Sequence, residues 1–120
     1  PPRSTLFPYT TLFRSETMEN CCKTACGVPM EIMRAALEGI KIHARMGEIG
    51  TMIAISDVGC GVVFMKSALI AGSLNVVINL NAIKDQDFVA STRKEMDEMI
   101  AAGSKLADDT LALVISKLKK

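Results

Sequence analysis

Apolar and polar positions follow the period of an α-helix along most of the chain. Between residues 28 and 50, apolar side chains recur at steps of three and four with charged residues opposite, namely Ile32, Met33, Ala36, Leu37, Ile40 and Ala44. Pro29 suits the first turn of this helix, where a missing N–H costs no hydrogen bond, and Gly47 and Gly50 end it. Residues 16–26 are typical of the end of an earlier helix, broken at Gly27.

A second pattern begins at Ser56-Asp57, a hydroxyl cap followed by a carboxylate in the positive first turn of a helix. From Val58 to Ile83 the chain is apolar nearly all round, which is typical of a bundle's central helix or of a membrane span. Lys66 lies inside this stretch, and a lysine within a bilayer costs several kcal/mol. We therefore expect a buried central helix and no membrane contact.

Asp85 caps the last predicted helix, which continues for about thirty residues as one rod or bends near Gly103. Ala, Met and Leu are abundant and aromatic residues make up 4% of the chain, a composition that favours helices over strands. The sequence predicts one small domain, an all-α antiparallel helical bundle.

Residues 1–15 read PPRSTLFPYTTLFRS, which is the codon-by-codon translation of a common short-read sequencing adapter. We exclude them from fold reasoning as an artefact, expect them to be disordered, and begin the native sequence at Glu16. The alternative is a genuine extended arm. Without Arg3 and Arg14, 12 basic residues remain against 13 acidic ones. No basic surplus is left to neutralise phosphates, which argues against nucleic-acid binding.

The chain has four cysteines and one histidine, at positions 21, 22, 26, 60 and 43. The spacing C-C-x3-C matches no standard zinc pattern, so we expect no metal site and reduced thiols in a cytoplasmic protein. His43 lies between Lys41 and Arg45 on the predicted polar face, and we expect it to be solvated.

Four short motifs occur in order along the chain: Val28-Pro29, Ser56-Asp57, Asn75-Val76-x-x-Asn79-Leu80 and Lys84-Asp85-x-x-Phe88. Together they resemble the cyclodeaminase family, which forms the C-terminal domain of formiminotransferase-cyclodeaminase and also includes stand-alone methenyltetrahydrofolate cyclohydrolases. The resemblance covers nearly all of residues 16–120. One departure is Thr51, since many members carry asparagine after the glycine at this point.

The resemblance implies an all-α homodimer of one-carbon or histidine-degradation metabolism, with a tetrahydrofolate derivative as substrate and a formiminotransferase domain or partner. The reaction is either ring closure of formiminotetrahydrofolate with loss of ammonia, or interconversion of methenyl- and formyltetrahydrofolate by water. The family's glycine-rich motif and its proposed catalytic aspartate fall upstream of Glu16. We therefore expect residues 16–120 to be an inactive C-terminal part of such a domain. Its apolar surface would cause aggregation or dimerisation. The alternative is a non-catalytic module that self-associates through the 58–83 helix.

Four residues are candidates for substrate binding. Asp57 either stabilises a helix N-terminus or contacts the pterin or a catalytic water. Asn75 and Asn79 lie one turn apart on one face, where they either tie the helix to a neighbour or line a folate pocket. Lys66 either pairs with a folate carboxylate or extends to the surface.

Overall fold

The computed structural model describes residues 8–119 as four α-helices joined by short connections. They are α1 (Pro8–Ala25), α2 (Gly27–Ile49), α3 (Ile55–Leu80) and α4 (Gln86–Leu118), with a single 3-10 turn at Met52–Ala54. The described residues include no strand. Helices α2, α3 and α4 pack on one another, and α1 contacts one end of α2 and α3. The predicted all-α bundle is confirmed, as an elongated body of 77 × 22 × 16 Å.

The core lies where α2, α3 and α4 cross, and glycine allows the closest approach there. A methyl carbon at Gly103 of α4 would lie 2.5 Å from Leu69 Cδ2 on α3 and 3.3 Å from Leu37 Cδ1 on α2. Leu69 and Ile40 are fully buried at this crossing. Gly103 lies within one continuous helix of 33 residues, so α4 is a single helix and Asp85 caps it as predicted.

The break between α1 and α2 lies at Cys26, and Pro29 occupies the first turn of α2 as predicted. Helix α1 begins at Pro8 and so includes residues 8–15; the expectation that these residues are an artefact stays a prediction. Residues 1–7 lie outside the described part of the chain. Positions 11–18 are all exposed, which means that this half of α1 buries no side chain against the bundle.

Helix α3 departs from prediction in two respects. Its N-cap is Ala54 without a side-chain hydrogen bond, so Ser56 is not the cap, although Asp57 lies in the first turn. The expectation that this helix is buried on all sides is wrong, because α2 and α4 cover only one side of it. Val62, Leu69 and Val76 are buried on that side, whereas the exposed fractions of Phe64, Leu74 and Ile78 are 73%, 66% and 69%.

The segment Met52–Leu80 is long and apolar enough, by length and composition, to cross a membrane. Within its most apolar 18-residue window, 28% is buried inside the protein. The same apolar character that suits α3 to the core on one side therefore leaves a large apolar surface on the other.

Candidate functional site

A groove with a volume of about 540 Å³ runs between the start of α2 and the second half of α3. We call it the α2–α3 groove. Its lining consists of Ala25, Val28, Pro29, Ile32, Ala68, Ala71, Gly72, Asn75 and Asn79. Gly72 allows the two helices to approach closely here, because a methyl carbon at this position would lie 2.8 Å from Met33 Cγ and 3.2 Å from the Pro29 carbonyl oxygen. Two motifs that are far apart in sequence thus share one surface.

The two asparagines supply the polar side chains of the α2–α3 groove. Asn75 Nδ2 donates to the Ala71 carbonyl at 3.1 Å, and Asn79 Nδ2 donates to the Asn75 carbonyl at 2.9 Å. Within the described residues, neither Oδ1 atom accepts a hydrogen bond from the protein. Each amide is therefore held along the helix by its donor group while its acceptor oxygen stays available to a ligand.

The chemistry of the groove is that of binding rather than proton transfer. Its walls are apolar, with Val28 and Ile32 partly exposed to solvent, and its lining includes no ionisable side chain. Apolar walls with a few placed polar atoms are typical of small-molecule sites. The groove can accept a flat molecule that carries N–H donors.

The other two candidate residues lie elsewhere. Asp57 is exposed in the first turn of α3 and, at 1.5 Å per residue, lies about 27 Å along the helix from Asn75. Lys66 Nζ lies 2.7 Å from Asp108 Oδ1 on α4, beside a separate cavity of about 250 Å³. The structure brings Asn75 and Asn79 together and leaves Asp57 and Lys66 apart from them.

The Lys84-Asp85-x-x-Phe88 motif binds α1. The Glu19 carboxylate accepts the backbone N–H groups of Lys84 and Asp85 at 2.9 Å. Lys23 Nζ lies 2.7 Å from Asp85 Oδ2 and 5.5 Å from the centre of the Phe88 ring. We call these contacts the α1 clasp. Sequence reasoning missed Glu19, because nothing in its local pattern shows which backbone it reaches.

Electrostatics hold the clasp in its charged form. The backbone donors of Lys84 and Asp85 lower the pKa of Glu19 below its ordinary value. The hydrogen bond from Lys23 lowers the pKa of Asp85, and the same contact raises the pKa of Lys23. The motif's described contacts are thus structural: they dock α1 on the α3–α4 connection.

His43 corrects a sequence expectation. It is half-buried, and its Nδ1 lies 2.7 Å from the Gly39 carbonyl, to which it donates in the matching tautomer. Its ring packs on Gly61 of α3, where any side chain would collide with it. The expectation of a solvated histidine is wrong, because α3 presents a glycine at the point where His43 faces it.

The four cysteines are free thiols. Cys22 and Cys26 are buried in the core, and burial raises the pKa of the Cys26 thiol. Cys21 and Cys60 are exposed. Among the described residues, no three His, Cys, Asp or Glu side chains form a cluster that could hold a metal ion.

Comparison with known proteins is consistent with this architecture. The sequence profile of the formiminotransferase-cyclodeaminase family matches residues 10–98. Over 105 residues the chain is 29% identical to a methenyltetrahydrofolate cyclohydrolase of Methylorubrum extorquens, covering 88% of the chain and 50% of that protein. It is 28% identical over 105 residues to a formimidoyltransferase-cyclodeaminase of Dictyostelium discoideum, covering 88% of the chain and 19% of that protein. The chain thus spans half the length of the first relative and about a fifth of the second. With most of its residues matched by the profile, the chain belongs to the formiminotransferase-cyclodeaminase family.

Proposed function

We propose that the chain is part of a cytoplasmic enzyme that acts on one-carbon adducts of tetrahydrofolate, as a cyclodeaminase or as a cyclohydrolase. Family membership supports the class of substrate. We assign folate binding to the α2–α3 groove because a pair of asparagine amides lies on its apolar wall.

A pterin matches the chemistry of that groove. Its face is flat and apolar enough to lie against Val28 and Ile32, and its edge carries amino and ring N–H donors. The Oδ1 atoms of Asn75 and Asn79 are acceptors without a protein donor, so they can bind that edge. Each such hydrogen bond contributes about 0.5–1.5 kcal/mol.

Both candidate reactions pass through a tetrahedral carbon between two folate nitrogens and need a group that transfers protons. The groove offers none, because its lining has no ionisable side chain. We infer that this chain binds and orients the folate while the acid/base group comes from outside the groove. The 120 residues are then expected to bind substrate without turning it over.

The name of the Dictyostelium relative joins two activities, a formimidoyltransferase and a cyclodeaminase. We propose that a formiminotransferase domain or partner supplies the substrate if the reaction releases ammonia. A cyclohydrolase needs no such supplier. The proposal includes no metal, since water or an amine attacks a carbon already activated between two nitrogens.

Calorimetric titration of the chain with tetrahydrofolate tests the binding surface. Replacing both Asn75 and Asn79 with alanine is expected to weaken binding about tenfold, from the loss of two hydrogen bonds. Asn81→Ala is the matched control, because Asn81 is exposed on the turn after α3 and lies outside the groove. Unchanged affinity in the double variant would overturn the assignment of the groove, and no binding by the unaltered chain would overturn the function.

Turnover is measured separately. The chain is incubated with methenyltetrahydrofolate and with formiminotetrahydrofolate, and the ultraviolet absorbance of the methenyl group and the release of ammonia are followed. We expect neither signal to exceed the rate without protein. A catalysed change in either would show that the acid/base group lies within these 120 residues and would refute that part of the proposal.

A further inference from the structure

Two contacts hold the walls of the α2–α3 groove together, one on each side of its polar end. On one side α2 crosses α3 at Gly72, against Met33 and the Pro29 carbonyl group. On the other side the α1 clasp joins α1 to the connection between α3 and α4. The groove residues Ala25 and Asn79 lie between these two contacts in sequence. The width of the groove at its asparagine end therefore depends on the crossing and on the clasp together.

Hydrogen-bonded turns connect the clasp to both walls of the groove. Past the end of α3, the Ala82 N–H donates to the Asn79 carbonyl at 3.1 Å, so the turn that leads to the clasp is tied to the groove residue itself. On the other wall, the Cys26 N–H donates to the Cys22 carbonyl and the Met30 N–H donates to the Cys26 carbonyl, each at 3.1 Å. These bonds carry α1 into α2 without a flexible linker. A movement at the clasp is therefore passed to the groove walls.

Helix α1 depends on the clasp because it buries little. Among residues 11–25, Cys22 is the one buried side chain. The Glu19 carboxylate accepts from two backbone N–H groups, those of Lys84 and Asp85, each at 2.9 Å. Hydrogen bonds to an ionised acceptor are about twice as strong as neutral ones. Loss of the Glu19 carboxylate should therefore let α1 move away from the connection while α2, α3 and α4 stay packed.

We propose that Glu19 is a positioning residue for the ligand of the α2–α3 groove. Its carboxylate holds α1 on the connection, and this sets the distance between Val28 on one wall and the Asn75 and Asn79 oxygens on the other. Glu19 lies outside the lining of the groove and acts through the position of α1. The closed clasp binds the ligand more tightly than the open one, so the observed affinity follows the fraction of chains in which the clasp is closed. This inference rests on the proposed function, because the ligand is the tetrahydrofolate derivative.

Hydrogen exchange followed by NMR tests the coupling in the unaltered chain. If closure of the clasp strengthens binding, the ligand must favour closure by the same factor. The N–H groups of Lys84 and Asp85 report closure directly, because they exchange with solvent only when Glu19 releases them. Saturating tetrahydrofolate should therefore slow the exchange of these two amides. The amide of Gly50, which donates to the Met46 carbonyl at the far end of α2, is the control and should be unaffected.

Calorimetric titration of Glu19→Gln with tetrahydrofolate tests the residue itself. The amide keeps one acceptor oxygen and turns an NH2 group towards the N–H donors, so we expect affinity to fall about three- to tenfold. Glu38→Gln is the matched control, because Glu38 is an exposed carboxylate on α2 that pairs with Lys41 and lies outside the groove. It should bind as the unaltered chain does. Circular dichroism shows whether both variants are folded.

The outcomes separate this inference from the proposed function. If Glu19→Gln binds as tightly as the unaltered chain, or if the ligand leaves the exchange of the two clasp amides unchanged, Glu19 does not position the ligand and the inference is overturned. The assignment of the groove to Asn75 and Asn79 would survive that result. No binding by the unaltered chain would overturn the proposed function and this inference with it. The exchange measurement uses the unaltered chain, so it decides the question even where Glu19→Gln unfolds.

Discussion

Replacing Gly103 with alanine tests the crossing of the three packed helices. The added methyl carbon would lie 2.5 Å from Leu69 Cδ2, which is too close for contact, and Leu69 is fully buried and cannot turn into solvent. Overpacking of this kind costs about 1–3 kcal/mol. Alanine inside a helix is more stable than glycine by about 0.8–1 kcal/mol. We expect Gly103→Ala to lower the free energy of unfolding by about 1 kcal/mol net.

The sign should reverse when the opposing side chain is shortened. Leu69→Ala costs about 2–5 kcal/mol by itself, because it leaves a cavity at the crossing. In that background the nearest remaining atom to a methyl carbon at position 103 is Leu37 Cδ1 at 3.3 Å, a contact relieved by a small shift into the new cavity, so Gly103→Ala should stabilise by up to about 1 kcal/mol through its helix propensity. The pair is then coupled by about 2 kcal/mol.

Urea unfolding followed by circular dichroism measures all four proteins of this cycle, at one fixed chain concentration because association shifts apparent stability. Gly27→Ala is the matched control, since no atom lies within 4 Å of a methyl carbon placed there. Its effect should be the same in both backgrounds. If Gly103→Ala changed stability equally with leucine and with alanine at position 69, the two residues would not be in contact and the described crossing would be wrong.

Two further outcomes follow from the clasp and from α3. The lowered pKa of Glu19 means that its contribution is present above the ordinary value of about 4.3 and is lost as the pH falls through the lowered value. Glu19→Gln should therefore have a lower free energy of unfolding than the unaltered chain at neutral pH, and that free energy should fall less on acidification. Urea unfolding at a series of pH values measures both proteins, and an equal dependence of stability on pH would contradict this. Lys66→Ala should reduce stability by less than about 1 kcal/mol and leave tetrahydrofolate affinity unchanged, because Lys66 pairs with Asp108; weakened binding by calorimetry would place Lys66 at the substrate.

Local signals in the sequence predicted the helices well. Pro29 and Asp85 mark helix starts through backbone chemistry that operates wherever the helix lies, and both act as expected. The burial of α3 was harder to predict, because the sequence of an apolar helix does not show how many neighbouring helices cover it. Two helices cover one side of α3, and large apolar residues on its other side, such as Phe64 and Ile78, stay exposed.

The candidate site was likewise predictable only where local spacing determines it. The four-residue spacing places Asn75 and Asn79 on one face of a helix, and the structure has them in one groove. That Pro29 faces them depends on how α2 and α3 cross at Gly72, which is a property of two helices together. Glu19 went unnoticed for the same reason, since its partners are backbone groups far along the chain.

The α1 clasp implies an order of assembly. Its contacts join positions 62 to 66 residues apart, whereas α2 packs on α3 and α3 packs on α4, each the next helix in sequence. Closing a longer loop costs more entropy, so the contacts among α2, α3 and α4 can form before α1 is fixed in place. Helix α1 should also be the first to detach in native fluctuations, so that its amide hydrogens exchange while those of α2, α3 and α4 remain protected. Local unfolding would then be confined to α1, while α2, α3 and α4 remain folded.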